Sequence, residues 1–169
     1  MLNRNQPQAK WNIIFFALAL LAVIIDQVSK WWIQNHFYIG QSVPETGPFR
    51  LTYAQNTGAA FSIFNGRTDI LAVISMVGVI VILVFNFIIY RHFPSLDTHL
   101  NKIALGLILG GTAGNLIDRV WLHYVRDFID AGPWPVFNAA DSFLVIGIII
   151  FATSLLFFAR DLDPENTKR

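Results

Sequence analysis

Long apolar runs, each broken or bounded by a few polar residues, organise this chain. Four of them, at about 11–33, 70–90, 102–119 and 139–159, approach the roughly 20 residues that a helix needs to cross a bilayer. The first is interrupted by Asp26, Gln27, Ser29 and Lys30, whereas Ser75 and Asn86 are the main polar residues of the second. The third reaches full length only by including Lys102, Asp118 and Arg119, and the fourth ends near Arg160. The pattern predicts an all-α integral membrane protein of four transmembrane helices, forming a single polytopic domain over 1–169.

The connections between spans differ in kind. Residues 34–69 carry Pro44, Gly47, Pro48 and Gly66 as breakers around Phe49-Arg-Leu-Thr-Tyr-Ala54, an aromatic and β-branched run that predicts a short strand or hairpin. Residues 120–138 contain Trp121, Tyr124, Phe128, Trp134 and Phe137, the composition of a loop lying in the membrane interface. A polar tail occupies 161–169. Arg4 and Lys10 ahead of the first apolar run also resemble a signal peptide. That run continues past Asp26 towards Trp31 and Trp32, so an uncleaved first span is expected.

Lys and Arg flank the two sides unequally: seven on the side of both termini and the connection near residue 95, five on the other. Assigning Lys30 and Arg119 to helix ends leaves three on that other side, which places both termini in the cytoplasm and 34–69 and 120–138 outside. Only 14% of the residues are charged, against about 25% in soluble domains, and 54% are hydrophobic. A net charge of +1 with scattered basic residues gives no footprint for nucleic acid. The absence of Cys excludes disulfides, thiolate nucleophiles and Cys-ligated metals.

Polar groups embedded in apolar sequence carry the candidate chemistry, because an ionisable residue near hydrocarbon persists where it pairs, lines a wet cavity or reacts. Asp26 and Lys30 share a helix face four positions apart and suit an ion pair. Gly106, Gly110 and Gly114 recur every four residues, a close-packing row that leads to Asp118, and the adjacent row runs Gly111, Asn115, Arg119. A helix-end Asp118–Arg119 pair would account for part of that pattern. Asn138 followed by Asp141 has the spacing of a helix cap. Asp127 alone reads as a loop acid, but with Asp141 it forms a candidate dyad sharing one proton. No His-Glu-x-x-His, P-loop or nucleophile elbow occurs, and Ser29 and Lys30 are neighbours that point apart on a helix. Carboxylate catalysis, a cation- or proton-coupled transporter and a non-catalytic membrane scaffold all remain open on these residues alone.

Five blocks in order resemble the lipoprotein signal peptidase, or signal peptidase II, family: Asp26-Gln-Val-Ser-Lys30, Asn56-Thr-Gly-Ala-Ala-Phe-Ser62, Gly110-Gly-Thr-Ala-Gly-Asn-Leu-Ile-Asp-Arg119, Val125-Arg-Asp-Phe128 and Phe137-Asn-Ala-Ala-Asp-Ser142. The resemblance implies an aspartic endopeptidase of the bacterial inner membrane, without metal or organic cofactor, acting as a monomer. Its substrates would be diacylglyceryl-modified prolipoproteins, cut just before the lipidated Cys, and membrane lipid would surround the site. By position, the resemblance implies a catalytic dyad of Asp127 and Asp141. It implies a substrate site of Asn56, Gly58, Asn115, Arg119, Val125 and Asn138, supported by Asp26, Lys30, Gly110, Gly114, Asp118 and Ala140. Arg126 departs from the family pattern, which favours an apolar residue there. As a cation beside Asp127 it is expected to lower that carboxyl's pKa or to contact lipid headgroups.

Overall fold

A computed structural model describes residues 8–58, 66–89, 92 and 96–161. Residues 59–62 of the second motif block and nearly all of the polar tail lie outside the described residues. Among the described residues, four helices have the length and apolarity to span a membrane. Helix α1 is Gln8–His36, and α2 is Thr68–Val84 continued by a π-helical turn, Phe85–Ile89. Helix α3 is His99–Trp121 and α4 is Ala139–Asp161. Each of α1 and α3 extends by a few residues beyond its apolar run.

Helix α3 is central and packs against α1, α2 and α4. Its small residues make that possible. A Cβ added at Gly110 would stand 2.6 Å from both the Ala19 carbonyl oxygen and the Ala22 Cβ, and one at Gly106 would stand 2.8 Å from the Phe15 carbonyl oxygen. Towards α4, a Cβ at Gly111 would collide with the Ala140 carbonyl oxygen. Phe15, Ala19, Leu105 and Leu109 form the core of the bundle. Apolar side chains such as Leu20, Ile80, Ile148 and Leu156 remain exposed on its outside, as a lipid-facing surface requires.

A three-stranded antiparallel sheet covers one end of the bundle, in the order β1 (Ser42–Val43), β2 (Arg50–Asn56), β3 (Val125–Asp130). The expected hairpin is thus present. Residues 120–138, read as an interfacial loop, instead contribute a nearly fully buried strand. Its pattern, Val-Arg-Asp-Phe-Ile-Asp, hides the strand because charged residues stand on both faces and both faces are covered. Ile33, Tyr53 and Phe128 form a second core that seats the sheet on the end of α1. At the turn into β3, His123 takes a left-handed φ of 61° just after the α3 C-cap, which reverses the chain.

At the opposite end, Lys102 is buried and donates to Asn86 Oδ1 (2.8 Å) and Asn12 Oδ1 (3.2 Å) while pairing with Asp97 at 3.1 Å. It is a bundle residue rather than a flanking charge. Arg126 on the other side is likewise buried, so one charge drops from each side of the orientation tally and its sense is unchanged.

Close approach of α3 to α1 predicts an asymmetry between glycines. Gly110→Ala should destabilise the protein by about 1–3 kcal/mol through overpacking. Gly78→Ala should not, because its Cβ would meet only Thr112 Cγ2 at an ordinary 3.6 Å. Thermal unfolding of the two purified variants checks this, and equal midpoints would contradict the packing described.

Candidate active site

Strand β3 sorts its side chains by the two-residue period. Val125 and Asp127 face a cavity of about 620 Å³, while Arg126 and Phe128 face α1. Strand β2 must bring Asn56 to the same face as Asp127, and a β-bulge does this. Leu51 pairs with Ile129 but Ala54 pairs with Asp127, so β2 carries one extra residue between them. Had β2 continued from Leu51 in regular register, Asn56 would fall opposite Tyr124 and lie on the Arg126 face. With the bulge, Asn56 Nδ2 donates to Asp127 Oδ2 at 2.9 Å. The other Asn56 atom, Oδ1, accepts from the Gly58 amide at 2.9 Å, closing a tight turn at the cavity wall.

The segment after β3 returns along the strand. The Phe137 carbonyl accepts from the Phe128 and Ile129 amides at 2.9 and 2.7 Å, which delivers Asn138 beside Asp127. Asn138 then starts α4 with a reciprocal cap. Its amide donates to Asp141 Oδ2 (3.2 Å), and the Asp141 amide donates to Asn138 Oδ1 (3.0 Å). Because Oδ1 is committed to the cap, Nδ2 is free to donate to Asp127 Oδ1 (2.7 Å) and Asn115 Oδ1 (3.1 Å). The same geometry that caps α4 brings Asp141 into one hydrogen-bond network with Asp127. One residue, Asn138, bridges the two carboxyls.

Asn115 completes the bridge from α3, its Nδ2 donating to Asp141 Oδ1 at 2.7 Å. Lys30 Nζ donates to Asn115 Oδ1 at 2.9 Å and pairs with Asp26 at 2.8 Å and Asp118 at 3.5 Å. Asp26 Oδ1 also accepts from the Ala140 amide at 2.9 Å, tying the start of α4 to α1, and Gly114 leaves room for Asp26 where a Cβ would stand 2.5 Å from Oδ2. The partner of Asp118 is not Arg119 but Arg126, whose NH2 reaches Asp118 Oδ1 at 2.7 Å and whose amide reaches Oδ2 at 3.0 Å. Gln27 and Gln34 accept the remaining Arg126 donors, each at 2.9 Å.

Arg126 therefore neither touches lipid nor lowers the Asp127 pKa, contrary to expectation. The strand turns it inward, away from its neighbour. Burial and the nearby Asp141 charge instead push the Asp127 carboxyl up to about 7, against opposing hydrogen bonds from Asn56 and Asn138 and a weaker pull from Lys30. Arg119 faces the cavity from α3. Its NH1 donates to Ser75 Oγ on α2 at 3.2 Å, its Nε is buried without a hydrogen-bond partner, and both Asp127 and Asp141 lie within electrostatic reach.

Asn56, Gly58, Asn115, Arg119, Val125, Asp127 and Asp141 all line the cavity. Asn138 is fully buried behind it, and Asp26, Lys30, Asp118 and Ala140 form its support. The opposite wall is apolar, with Trp134, Val136, Leu144 and Val145. Of these, Leu144 and Val145 stand three and four residues after Asp141, so the helical period already placed them on its face. Gln27, Gln34 and Ser75 had no comparable signal, since their roles arise from partners distant in sequence. Two carboxyls bridged by one asparagine, a buried guanidinium with a spare donor and an apolar wall can together polarise a carbonyl, activate water and hold a hydrocarbon-rich substrate.

Comparison with known proteins places the fold and the family. The model of the signal peptidase (SPase) II family matches residues 18–157. A lipoprotein signal peptidase of Dehalococcoides mccartyi is 49% identical over 138 residues, covering 82% of this chain and 86% of that protein. One from Moorella thermoacetica is 43% identical, covering 89% and 98%, and one from Nostoc punctiforme is 40% identical, covering 94% and 96%. A bacterial membrane enzyme solved by the in meso method at 2.3 Å resolution is similar in fold, with a TM-score of 0.78 at 31% identity, covering 89% of this chain and 92% of that one. The chain belongs to the signal peptidase II family.

Proposed function

We propose that this protein is a membrane-embedded aspartic endopeptidase that removes the signal peptide from diacylglyceryl-modified prolipoproteins, cutting just before the lipidated Cys. The observation that carries the reading is the bridging of Asp127 and Asp141 by Asn138 at an apolar-walled cavity beside the transmembrane bundle. The names of the relatives supply the substrate class. The protein would act as a monomer in the bacterial inner membrane, with both termini cytoplasmic and the dyad towards the outer face, and without a cofactor.

The reaction needs one proton on the pair. Asp127, with its raised pKa, holds that proton near neutral pH and donates a hydrogen bond to the scissile carbonyl oxygen. Asp141 takes a proton from water as its oxygen attacks the carbonyl carbon. Collapse of the tetrahedral intermediate breaks the C–N bond, the released amine takes a proton from the pair, and the signal peptide leaves with a new carboxyl group. The Arg119 guanidinium, with its spare donor, holds a neighbouring peptide carbonyl in register. The cavity's apolar wall receives the acyl chains, so the substrate need not leave the bilayer.

Three outcomes follow. Asp127→Asn and Asp141→Asn should each lower cleavage by about 10²–10⁴-fold or more in a signal-peptide release assay while leaving thermal unfolding near wild type; near-wild-type turnover by either would remove the dyad. A prolipoprotein lacking its diacylglyceryl group should be a far poorer substrate, and equal rates with and without it would remove the role given to the cavity wall. Cleavage should also decline as pH rises through about 7, where Asp127 loses its proton. Asn56→Ala removes a hydrogen bond that favours the ionised form, so it should move that decline to higher pH in a pH–rate profile.

A further inference from the structure

Asn115 presents two ends of nearly identical shape to its neighbours, and only hydrogen bonding distinguishes them. Its Nδ2 faces Asp141, while Oδ1 receives Lys30 Nζ and Asn138 Nδ2. An ammonium has only donors, so it accepts no other arrangement. Turned over, the amide would set its NH2 against the Lys30 ammonium and the Asn138 NH2, and its carbonyl oxygen against the Asp141 carboxyl. Asn138 cannot turn to compensate, because the α4 cap fixes its own Oδ1.

We propose that Lys30 is a positioning residue of the active site: its ammonium fixes the polarity of the Asn115 amide and so guarantees a donor to the dyad. This rests on the function proposed above. Lys30 is fully buried and has three donors for three acceptors, Asp26, Asp118 and Asn115. Two of those contacts are with carboxylates, so a charge-pairing role alone would leave the third contact unexplained. Arg126 matters here because it engages Asp118 from the other side. Two cations then balance two carboxylates behind the dyad, and Lys30 keeps a proton directed at Asn115. The charged groups around the dyad, among the described residues, are Lys30 and Asp26 from α1, Asp118 and Arg119 from α3, and Arg126 from β3 with its side chain turned away.

The test uses the full-length enzyme and a diacylglyceryl-modified prolipoprotein. Wild-type cleavage is measured first, since its absence would overturn the proposed function itself. Asp26→Asn/Lys30→Met removes the ammonium without changing the net charge of the cluster. It should lower kcat at least tenfold, leave KM within twofold and move the acid limb of the pH profile upward, because a lost donor disfavours ionisation of the pair. In an Asn115→Ala background the same double change should add no further loss. Retained kcat in the folded variant, or losses that multiply in the Asn115→Ala background, would overturn the inference while leaving the proposed function standing. If Asp26→Asn/Lys30→Met fails to fold, Asn115→Asp decides. It keeps a partner for Lys30 but offers the dyad no donor, so kcat should fall at least tenfold, and wild-type kcat would overturn the inference.

Discussion

Four ionised side chains, Asp26, Lys30, Asp118 and Arg126, meet at the sheet end of the bundle, and the first three have no exposure to water. Taking such charges out of water costs several kcal/mol per ion, which is recovered only if every charge is matched and the remaining donors and acceptors are filled. That requirement shapes the surroundings. Gln27 and Gln34 accept the outer Arg126 donors, the Ala140 amide fills Asp26 Oδ1, and Gly114 is small enough to let Asp26 approach. The cluster joins α1, α3, α4 and β3 at one point. Removing one member would leave an unpaired charge, so the elements are locked into a single arrangement.

The proposed dyad of Asp127 and Asp141 inherits its geometry from that lock. Helix α4 starts where the cap between Asn138 and Asp141 satisfies its first amides, a local device common to helices of soluble proteins. Here the cap has a second consequence, because committing Asn138 Oδ1 turns Nδ2 towards Asp127. Burial and a neighbouring carboxyl would otherwise make a second negative charge costly, and they hold the Asp127 proton to about neutral pH. The same amides that orient the pair temper this rise. Stability and the proposed reactivity thus draw on one hydrogen-bond network, in which each amide has one tolerated orientation.

Membrane packing supplies the closeness that the network needs. Between helices in lipid there is little hydrophobic driving force, so close contact depends on small residues and on polar groups that find partners. The glycine row on α3 meets α1 along its length and ends at Asp118, while Gly111 and Asn115 on the adjacent row meet α4. The row that permits contact therefore delivers the polar residues to the point where the helices converge.

Much of this was legible from one dimension. Twenty-residue apolar runs dictate four spans, the period of four marks the close-packing face of α3, and the spacing of Asn138 and Asp141 marks a cap, because each depends on residues near in sequence. Strand β3 was not legible, since a strand covered on both faces with charges on each has no alternation to detect. Nor was the fate of Arg126. Its adjacency to Asp127 suggested interaction, but neighbours on a strand point to opposite faces, and its partners Asp118, Gln27 and Gln34 are brought to it by folding. The sequence by itself determined which residues could bear charge and chemistry and which segments would lie in lipid. Only the tertiary structure decided which charges cancel and which face the cavity, because buried electrostatics depends on distances between elements, here down to the single extra residue of the bulge in β2.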